Sequence, residues 1–276
     1  MLFGTIFSER QHIAVPSWLQ IKLLVYAMTA VSRLSVNVNA VAVLRNRRDL
    51  PWPSVTDLAA IALEAGAKGI TVHPRPDERH IRKTDVHDLS ELIGDRFPNK
   101  ELCLEGYPSA DFLDLVDQAR PDQVLFVPDD PNQSTSDHGW QFDQDTSLLE
   151  HAIAKAKDWA VTVSLFCDPD PSAPDHAVRL GAERIEIYTG PYGACFDDPA
   201  RAEKELAKVV ATAEAARAAG LGVNAGHDLT VANIPALIVS APFIREMSIG
   251  HGFTADALIH GFAGSVVRFR RALGEI

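Results

Sequence analysis

From residue 34 onward, short runs of β-branched and other apolar residues alternate with longer stretches in which apolar positions recur every three or four residues. The short runs cover residues 34–38, 69–73, 100–105, 123–127, 160–166, 184–188, 222–225 and 246–249. Strand-like runs separated by helix-length segments predict consecutive βα units and a parallel sheet. Eight such runs match the strand count of a closed barrel, so the predicted fold is α/β, a single (β/α)8 TIM barrel over residues 35–276. A doubly wound open sheet is the competing architecture. The lack of a GxGxxG after the first run counts against its dinucleotide-binding form.

The stretches between the runs carry helix punctuation. Ser54 after Pro53 predicts an N-cap for a helix ending at Gly66, and Asp198 before Pro199 caps one running to Gly220. Further helices are predicted over 84–94, 109–118 and 145–158, with a last one over 254–273. Residues 1–34 do not share the pattern. Their apolar stretch from Trp18 to Tyr26 is too interrupted to span a membrane and lacks the order of a signal peptide, so they are expected to be a disordered extension or a start assigned too early.

Composition narrows the function. With 46% hydrophobic residues in 276, the chain can bury a large core. A net charge of −11, from 26 basic and 37 acidic residues, argues against a nucleic-acid surface, although small anionic substrates can still enter a basic pocket. Cys103, Cys167 and Cys195 are odd in number and widely spaced, which excludes a disulfide framework and points to a reducing, cytoplasmic setting.

In a barrel the carboxyl ends of the strands form the working face, and here the run ends are polar. They carry Asn37 and Asn39, His73 and Arg75, Glu105, Asp129 and Asp130, Asp168, Thr189, His227 and Asp228, and Gly250 with His251. A lone strand-end histidine is commonly a hydrogen-bonded loop residue; the convergence of so many polar residues points instead to a site. The seventh and eighth runs lead into Asn224-Ala-Gly-His-Asp228 and Ser248-Ile-Gly-His-Gly252, whose glycines suit phosphate binding through backbone N–H groups, or serve as simple turns. No run ends in the lysine that a Schiff-base aldolase needs. The first run lacks a His-x-His metal pair, reading Val36-Asn-Val-Asn39, so no metal site is expected, the remaining alternative being that His73, His227 and His251 meet around an ion. Glu105, after Leu102 and Leu104, sits where burial would raise its pKa and suit it to proton transfer; its structural alternative is an ion pair with Arg75.

Several segments together resemble the pyridoxine 5'-phosphate synthase family. They are Val36-Asn-Val-Asn-Ala-Val-Ala-Val-Leu-Arg-Asn-Arg-Arg48, Gly69-Ile-Thr-Val-His-Pro-Arg-Pro-Asp-Glu-Arg-His-Ile81, Val163-Ser-Leu-Phe166, Ile185-Glu-Ile-Tyr-Thr-Gly190, Val223-Asn-Ala-Gly-His227 and Ser248-Ile-Gly-His251, in family order. The resemblance implies a TIM barrel, usually a homo-octamer, that uses neither metal nor organic cofactor. It would condense 3-amino-2-oxopropyl phosphate with 1-deoxy-D-xylulose 5-phosphate to give pyridoxine 5'-phosphate, inorganic phosphate and water. By the same resemblance, His73 and Glu105 are the bases and His227 the proton donor. Asn37, His227 and Gly250 with His251 would contact the aminoketone phosphate. Arg48, Arg75, His80 and Thr135 would hold the ketose phosphate. The partners implied are small phosphorylated substrates and inorganic phosphate, with no nucleic acid and no membrane.

The chain departs from the family pattern inside the site. Where the first strand of the family continues as Asn-x-Asp-His, this chain has Asn39 and Ala40, and after His227 it has Asp228 in place of glycine. Asp228 is expected to point to solvent, cap the next helix near Thr230, or hold a substrate ammonium. These departures leave open a divergent enzyme acting on another phosphorylated ketone, or a barrel that binds a phosphorylated metabolite without catalysis.

Overall fold

The computed structural model describes residues 32–130, 133 and 135–276, so most of the expected 1–34 extension lies outside the described residues. Within the unit spanning Val31–Ile276, eight parallel strands close a barrel. They are β1 (Arg33–Asn37), β2 (Gly69–Val72), β3 (Glu101–Gly106), β4 (Gln123–Phe126), β5 (Thr162–Cys167), β6 (Arg184–Tyr188), β7 (Gly222–Gly226) and β8 (Glu246–Ile249). Each pairs with the next, and β8 returns to β1 with Ser248 opposite Ser35. The TIM barrel predicted from eight runs is therefore present, with strand ends within two residues of those read from the sequence.

Eleven helices are seen among the described residues. They are α1 (Asn39–Arg45), α2 (Val55–Glu64), α3 (Lys83–Arg96), α4 (Ala110–Ala119), α5 (Ser147–Asp158), α6 (Ala173–Leu180), α7 (Gly190–Gly193), α8 (Pro199–Ala218), α9 (Ile234–Ser240), α10 (His251–His260) and α11 (Phe262–Ala272). Ser54 and Asp198 cap α2 and α8 as expected, accepting from the N–H groups of Asp57 and Arg201. The single last helix expected over 254–273 is two helices. Gly261, at φ +74°, breaks it in a left-handed conformation that glycine adopts without a side-chain clash. The four- to eight-residue α1, α6, α7 and α9 were not anticipated, because so few turns leave little periodicity to read.

Alternation along the strands sorts the core into two parts. Leu102 and Leu104 of β3 pack outward in the large cluster shared with the helices. Cys103 joins Leu125, Val127 and Phe166 in a small second cluster, with Tyr188 packed against it. That second group is the inward face of the barrel, and polar residues continue it along the axis. The two-residue period thus buries one side of each strand among helices and aims the other at the site. Truncating a fully buried wall residue such as Ile70 to alanine is expected to cost about 2–5 kcal/mol.

Candidate active site

β1 ends at Asn37, and α1 begins two residues later, so the site is built on a very short turn. Asn37 Oδ1 accepts the N–H of Asn39 (2.9 Å), while its Nδ2 donates to Glu105 Oε2 (3.3 Å). Asn39 Oδ1 accepts the backbone N–H of His73 (2.9 Å). Asn39 is therefore the first residue of a helix, and its side-chain carbonyl braces His73. It was read from the sequence as a strand-end residue. Ala40 lies beside it in the same first turn.

This bracing sets His73 between two carboxyl groups. Its Nδ1 lies 4.0 Å from Glu105 Oε2 and its Nε2 3.7 Å from Asp129 Oδ2, longer than a normal hydrogen bond in both directions. Burial pushes the Glu105 carboxyl up to about 8, aided by the charge of Asp129 and opposed by Arg75 and the Asn37 amide. Burial holds the His73 imidazole well below its usual value, and the cations Arg75, His80 and Arg79 add to that. At neutral pH the site therefore holds a neutral imidazole beside a largely protonated carboxyl, both able to exchange protons.

Arg75 does not pair with Glu105. Its guanidinium is bound to Asp129 and donates to the Gln133 carbonyl (2.7 Å), and Ser136 Oγ also donates to Asp129 (2.9 Å). Burial nevertheless raises the Asp129 pKa. The His80 ring stands edge-on to His73 at 6.0 Å between centroids, and its buried Nδ1 has no hydrogen-bond partner among the described residues. Burial, with Arg75 and Arg79 nearby, lowers its pKa to about 4. A cavity of about 770 Å³ opens outward from His73, Arg75 and Asp129 and is walled by Tyr107, Phe112 and Leu115.

His227 occupies the other side. It and Asp228 have φ values of +85° and +55°, a left-handed pair that side chains seldom adopt. The Thr189 hydroxyl fixes this turn, lying 2.6 Å from the carbonyls of both Gly226 and His227. The His227 ring packs at 5.3 Å from Tyr188 and 6.2 Å from Phe166, and its Nε2 is 3.4 Å from Thr135 Oγ1. Burial lowers its pKa, while Asp228, Asp129 and Asp137 pull it back up. Asp228 itself is exposed, and α9 starts six residues beyond it, after Asn233. Asn233 Oδ1, not the Asp228 carboxylate, accepts the Thr230 N–H (2.8 Å).

The glycines act by close approach. A Cβ at Gly226 would lie 2.3 Å from Glu186 Oε1, and one at Gly250 3.3 Å from the Asn37 side chain. Gly226 thus makes room for Glu186, a buried acid whose pKa is raised by burial and by Glu105 and Glu246. Sequence reading gave Glu186 no role. The alternation Arg184-Ile-Glu-Ile-Tyr188 was the available signal, since it turns the acid inward. Gly250 precedes α10, whose first-turn N–H groups lack partners within the helix and suit an anion. His251 is exposed at that helix start, and Arg48 is exposed in the turn after α1. Asn37, His73, Arg75, His80, Glu105 and Gly250 are thus brought together, and Thr135 with His227; Arg48 and His251 are not drawn into these contacts.

Residues 34–275 match the family model described as pyridoxal phosphate biosynthesis protein PdxJ. The chain belongs to the pyridoxine 5'-phosphate synthase family. It is 58% identical over 243 residues to the pyridoxine 5'-phosphate synthase of Mesorhizobium japonicum, covering 88% of this chain and 99% of that protein. It is 56% identical over 246 residues to the synthase of Rhizobium meliloti, covering 88% and 98%. Among solved structures, a mutant tryptophan synthase α-subunit from Pyrococcus furiosus superposes with a TM-score of 0.61 at 12% identity, covering 90% of this chain and 99% of that one. Phosphoribosyl anthranilate isomerase from Thermotoga maritima gives 0.57 at 14%, covering 89% and 100%. These two likenesses concern the fold alone. The family's activity is a ring-forming condensation in vitamin B6 biosynthesis, and the chain is an enzyme of that type.

Proposed function

We propose that this chain condenses 3-amino-2-oxopropyl phosphate with 1-deoxy-D-xylulose 5-phosphate to pyridoxine 5'-phosphate, inorganic phosphate and water, with Glu105, His73 and His227 moving the protons. The observation that carries the proposal is Glu105, a buried carboxyl with a pKa near 8, anchored by Asn37 and 4.0 Å from the neutral His73. Such a carboxyl is close in proton affinity to an amine that lies next to a carbonyl carbon, about 8. It can take the proton the aminoketone must lose before its nitrogen attacks the ketose carbonyl carbon. The carbonyl oxygen leaves as water once protonated, a step assigned to His227, whose Nε2 faces Thr135. As ring closure proceeds, the phosphate ester bond of one substrate breaks to release inorganic phosphate, and Glu105 and His73, once they have handed on the protons taken earlier, accept those lost from carbon.

Phosphate groups are assigned to two places. The first turn of α10 at Gly250, with Asn37 beside it, takes the aminoketone phosphate. Arg75 and His80, with Thr135, take the ketose phosphate; Arg48 would join them, and His251 the aminoketone phosphate, when substrate draws their exposed side chains inward. Binding an anion beside His227 raises its pKa and makes it a better acid. Asn39, Ala40 and Asp228 are placed to retune the ketose side. Asn39 braces His73, and Asp228 adds negative charge next to His227.

The enzyme is expected to work in the cytoplasm as a homo-oligomer, an octamer by family resemblance. Among the described residues no helix is long and apolar enough to cross a membrane. The neighbouring helices α1 and α10 leave Leu44, Leu258 and Ile259 exposed, which suits burial against another copy. An assay of the purified protein with both substrates tests the activity, alongside complementation of a strain lacking the synthase. Formation of pyridoxine 5'-phosphate and growth are expected; loss of both with intact, folded protein would leave a binding barrel instead.

A further inference from the structure

Arg45 lies outside the site, yet it is buried to 8% exposure at the C-terminal end of α1. Its guanidinium engages both carboxylate oxygens of Asp85, with Nη2 to Oδ2 at 2.8 Å, and Nη2 also donates to the His80 carbonyl (3.2 Å). Its Nε donates to Asn46 Oδ1 (3.1 Å). The Asn46 amide nitrogen then reaches the carbonyls of Glu78 and Arg79 (3.3 Å each) and of His80 (2.8 Å). Asp85 closes the arrangement from α3 by accepting the N–H of Arg82 (2.8 Å). Three consecutive carbonyls, 78 to 80, are thus gripped from one side and the start of α3 from the other.

The gripped segment carries the His80 imidazole, held edge-on to His73 with a buried, unpartnered Nδ1. It begins the turn with Glu78 at φ +51°, a conformation that a non-glycine residue keeps only when its surroundings impose it. A buried, charged fork joined to both neighbouring helices imposes it here. Breaking such a pair strands a charge, whereas removing the Asn46 amide releases only the loop.

We infer that Arg45, Asn46 and Asp85 form a clamp of positioning residues that fixes His80 for the phosphorylated ketose, so that the clamp sets affinity for that one substrate. The inference rests on the assignment of His80 to the ketose phosphate. The clamp does not touch Glu105, His227 or Gly250, so the chemistry and the aminoketone site should be indifferent to it.

The experiment measures kcat and both KM values for His80→Ala, Asn46→Ala and Asp85→Asn, with thermal melts and circular dichroism to verify folding. Asn46→Ala is the gentle variant, since it leaves the Arg45–Asp85 pair in place. The expected result is a KM for 1-deoxy-D-xylulose 5-phosphate raised about tenfold in Asn46→Ala and at least as much in His80→Ala and Asp85→Asn. In Asn46→Ala and Asp85→Asn the KM for the aminoketone phosphate and kcat should stay within about twofold. Imidazole NMR titration of Asn46→Ala should show the His80 pKa rising from about 4 as the ring gains water. If His80→Ala raises that KM while Asn46→Ala leaves both KM and the His80 titration unchanged, the clamp is overturned and the His80 assignment survives. If His80→Ala leaves the ketose KM unchanged, the assignment falls and the clamp's role falls with it. Parallel loss of both KM values, or of kcat alone, also overturns it.

Discussion

The two ends of the barrel interior are both polar, and they use polarity in opposite ways. At the amino ends of the strands, Gln123 Oε1 accepts from Arg184 (2.7 Å) and Asn224 (3.2 Å), while its amide donates to Cys103 Sγ (3.1 Å). Glu101 lies 3.4 Å from Lys68 and 3.7 Å from Arg184, and Asn224 reaches Glu246 at 3.5 Å. Apart from Asn224 Oδ1 and Ser164 Oγ, which lack a hydrogen-bond partner among the described residues, the groups there hold one another. At the carboxyl ends, His73 has its carboxylate neighbours at 3.7 and 4.0 Å, Glu105 accepts a 3.3 Å bond from Asn37, and His80 Nδ1 has no hydrogen-bond partner among the described residues. Where polar side chains saturate one another they plug the barrel. Where the fold holds them just out of reach, a substrate can complete the set.

The sharpest way to break this contrast is a matched pair of substitutions. Glu105→Gln keeps size and hydrogen-bonding capacity but removes the base, and turnover should fall by about 10²-fold or more while the melting temperature holds. Glu246→Gln, isosteric and also buried, should leave turnover within about threefold. Near-wild-type turnover in Glu105→Gln, measured with both substrates saturating, would sink the assignment of the base.

The pH dependence separates the ends next. Because Glu105 titrates at about 8 in the empty site, kcat/KM should climb roughly tenfold per pH unit below that value and level off above it. A limb near 4.5 instead would mean that the carboxyl titrates at its ordinary value and is not raised by burial. In Glu246→Gln the limb should move only slightly downward, because Glu246 is the smallest of the charges that raise Glu105.

Stability gives the complementary signature for the closed end. Burial and Glu101 raise Glu246 from 4.5 to about 7, against the pull of Arg184 and Lys68. The folded state therefore holds this proton more tightly than the unfolded chain. Its stabilising contribution is complete below about 4.5 and lost as pH rises through about 7. Glu246→Gln should remove that loss, gaining on the order of 3 kcal/mol relative to wild type at pH 8 and nothing at pH 4. Chemical denaturation at the two pH values measures it.

Inorganic phosphate probes the open end without chemistry. Binding to the native state alone should raise the melting temperature by a few degrees at millimolar concentration, with the Glu246→Gln protein responding like wild type. No shift with phosphate or either substrate would remove the anion sites.

The smallest effect is expected from the departures. Asp228→Gly, Asn39→Asp and Ala40→His together should improve kcat/KM for 1-deoxy-D-xylulose 5-phosphate by a few-fold, because a carboxylate near a phosphate costs binding unless it points away. Asp228 is exposed, so much of that cost is already relieved. Equal kcat/KM in wild type and triple variant would make the three residues tolerated variation.

The sequence by itself determined the barrel and much of its working face. Eight runs of β-branched residues and their spacing dictated eight βα units, since period and punctuation are local properties of the chain. Residues such as His73, Glu105 and His227 were legible because each directly ends or follows a strand, where barrel geometry guarantees a place on one face. What only the tertiary structure decided is who holds whom. Asp129, not Glu105, became the partner of Arg75; Asn39 turned from a strand-end residue to a brace for His73; and Glu186 entered the interior because Gly226, from another strand, leaves it room. Arg45 and Asp85 meet although 40 positions separate them. Such pairings depend on closing distances across the fold to within an ångström, and no local pattern in the chain carries that information.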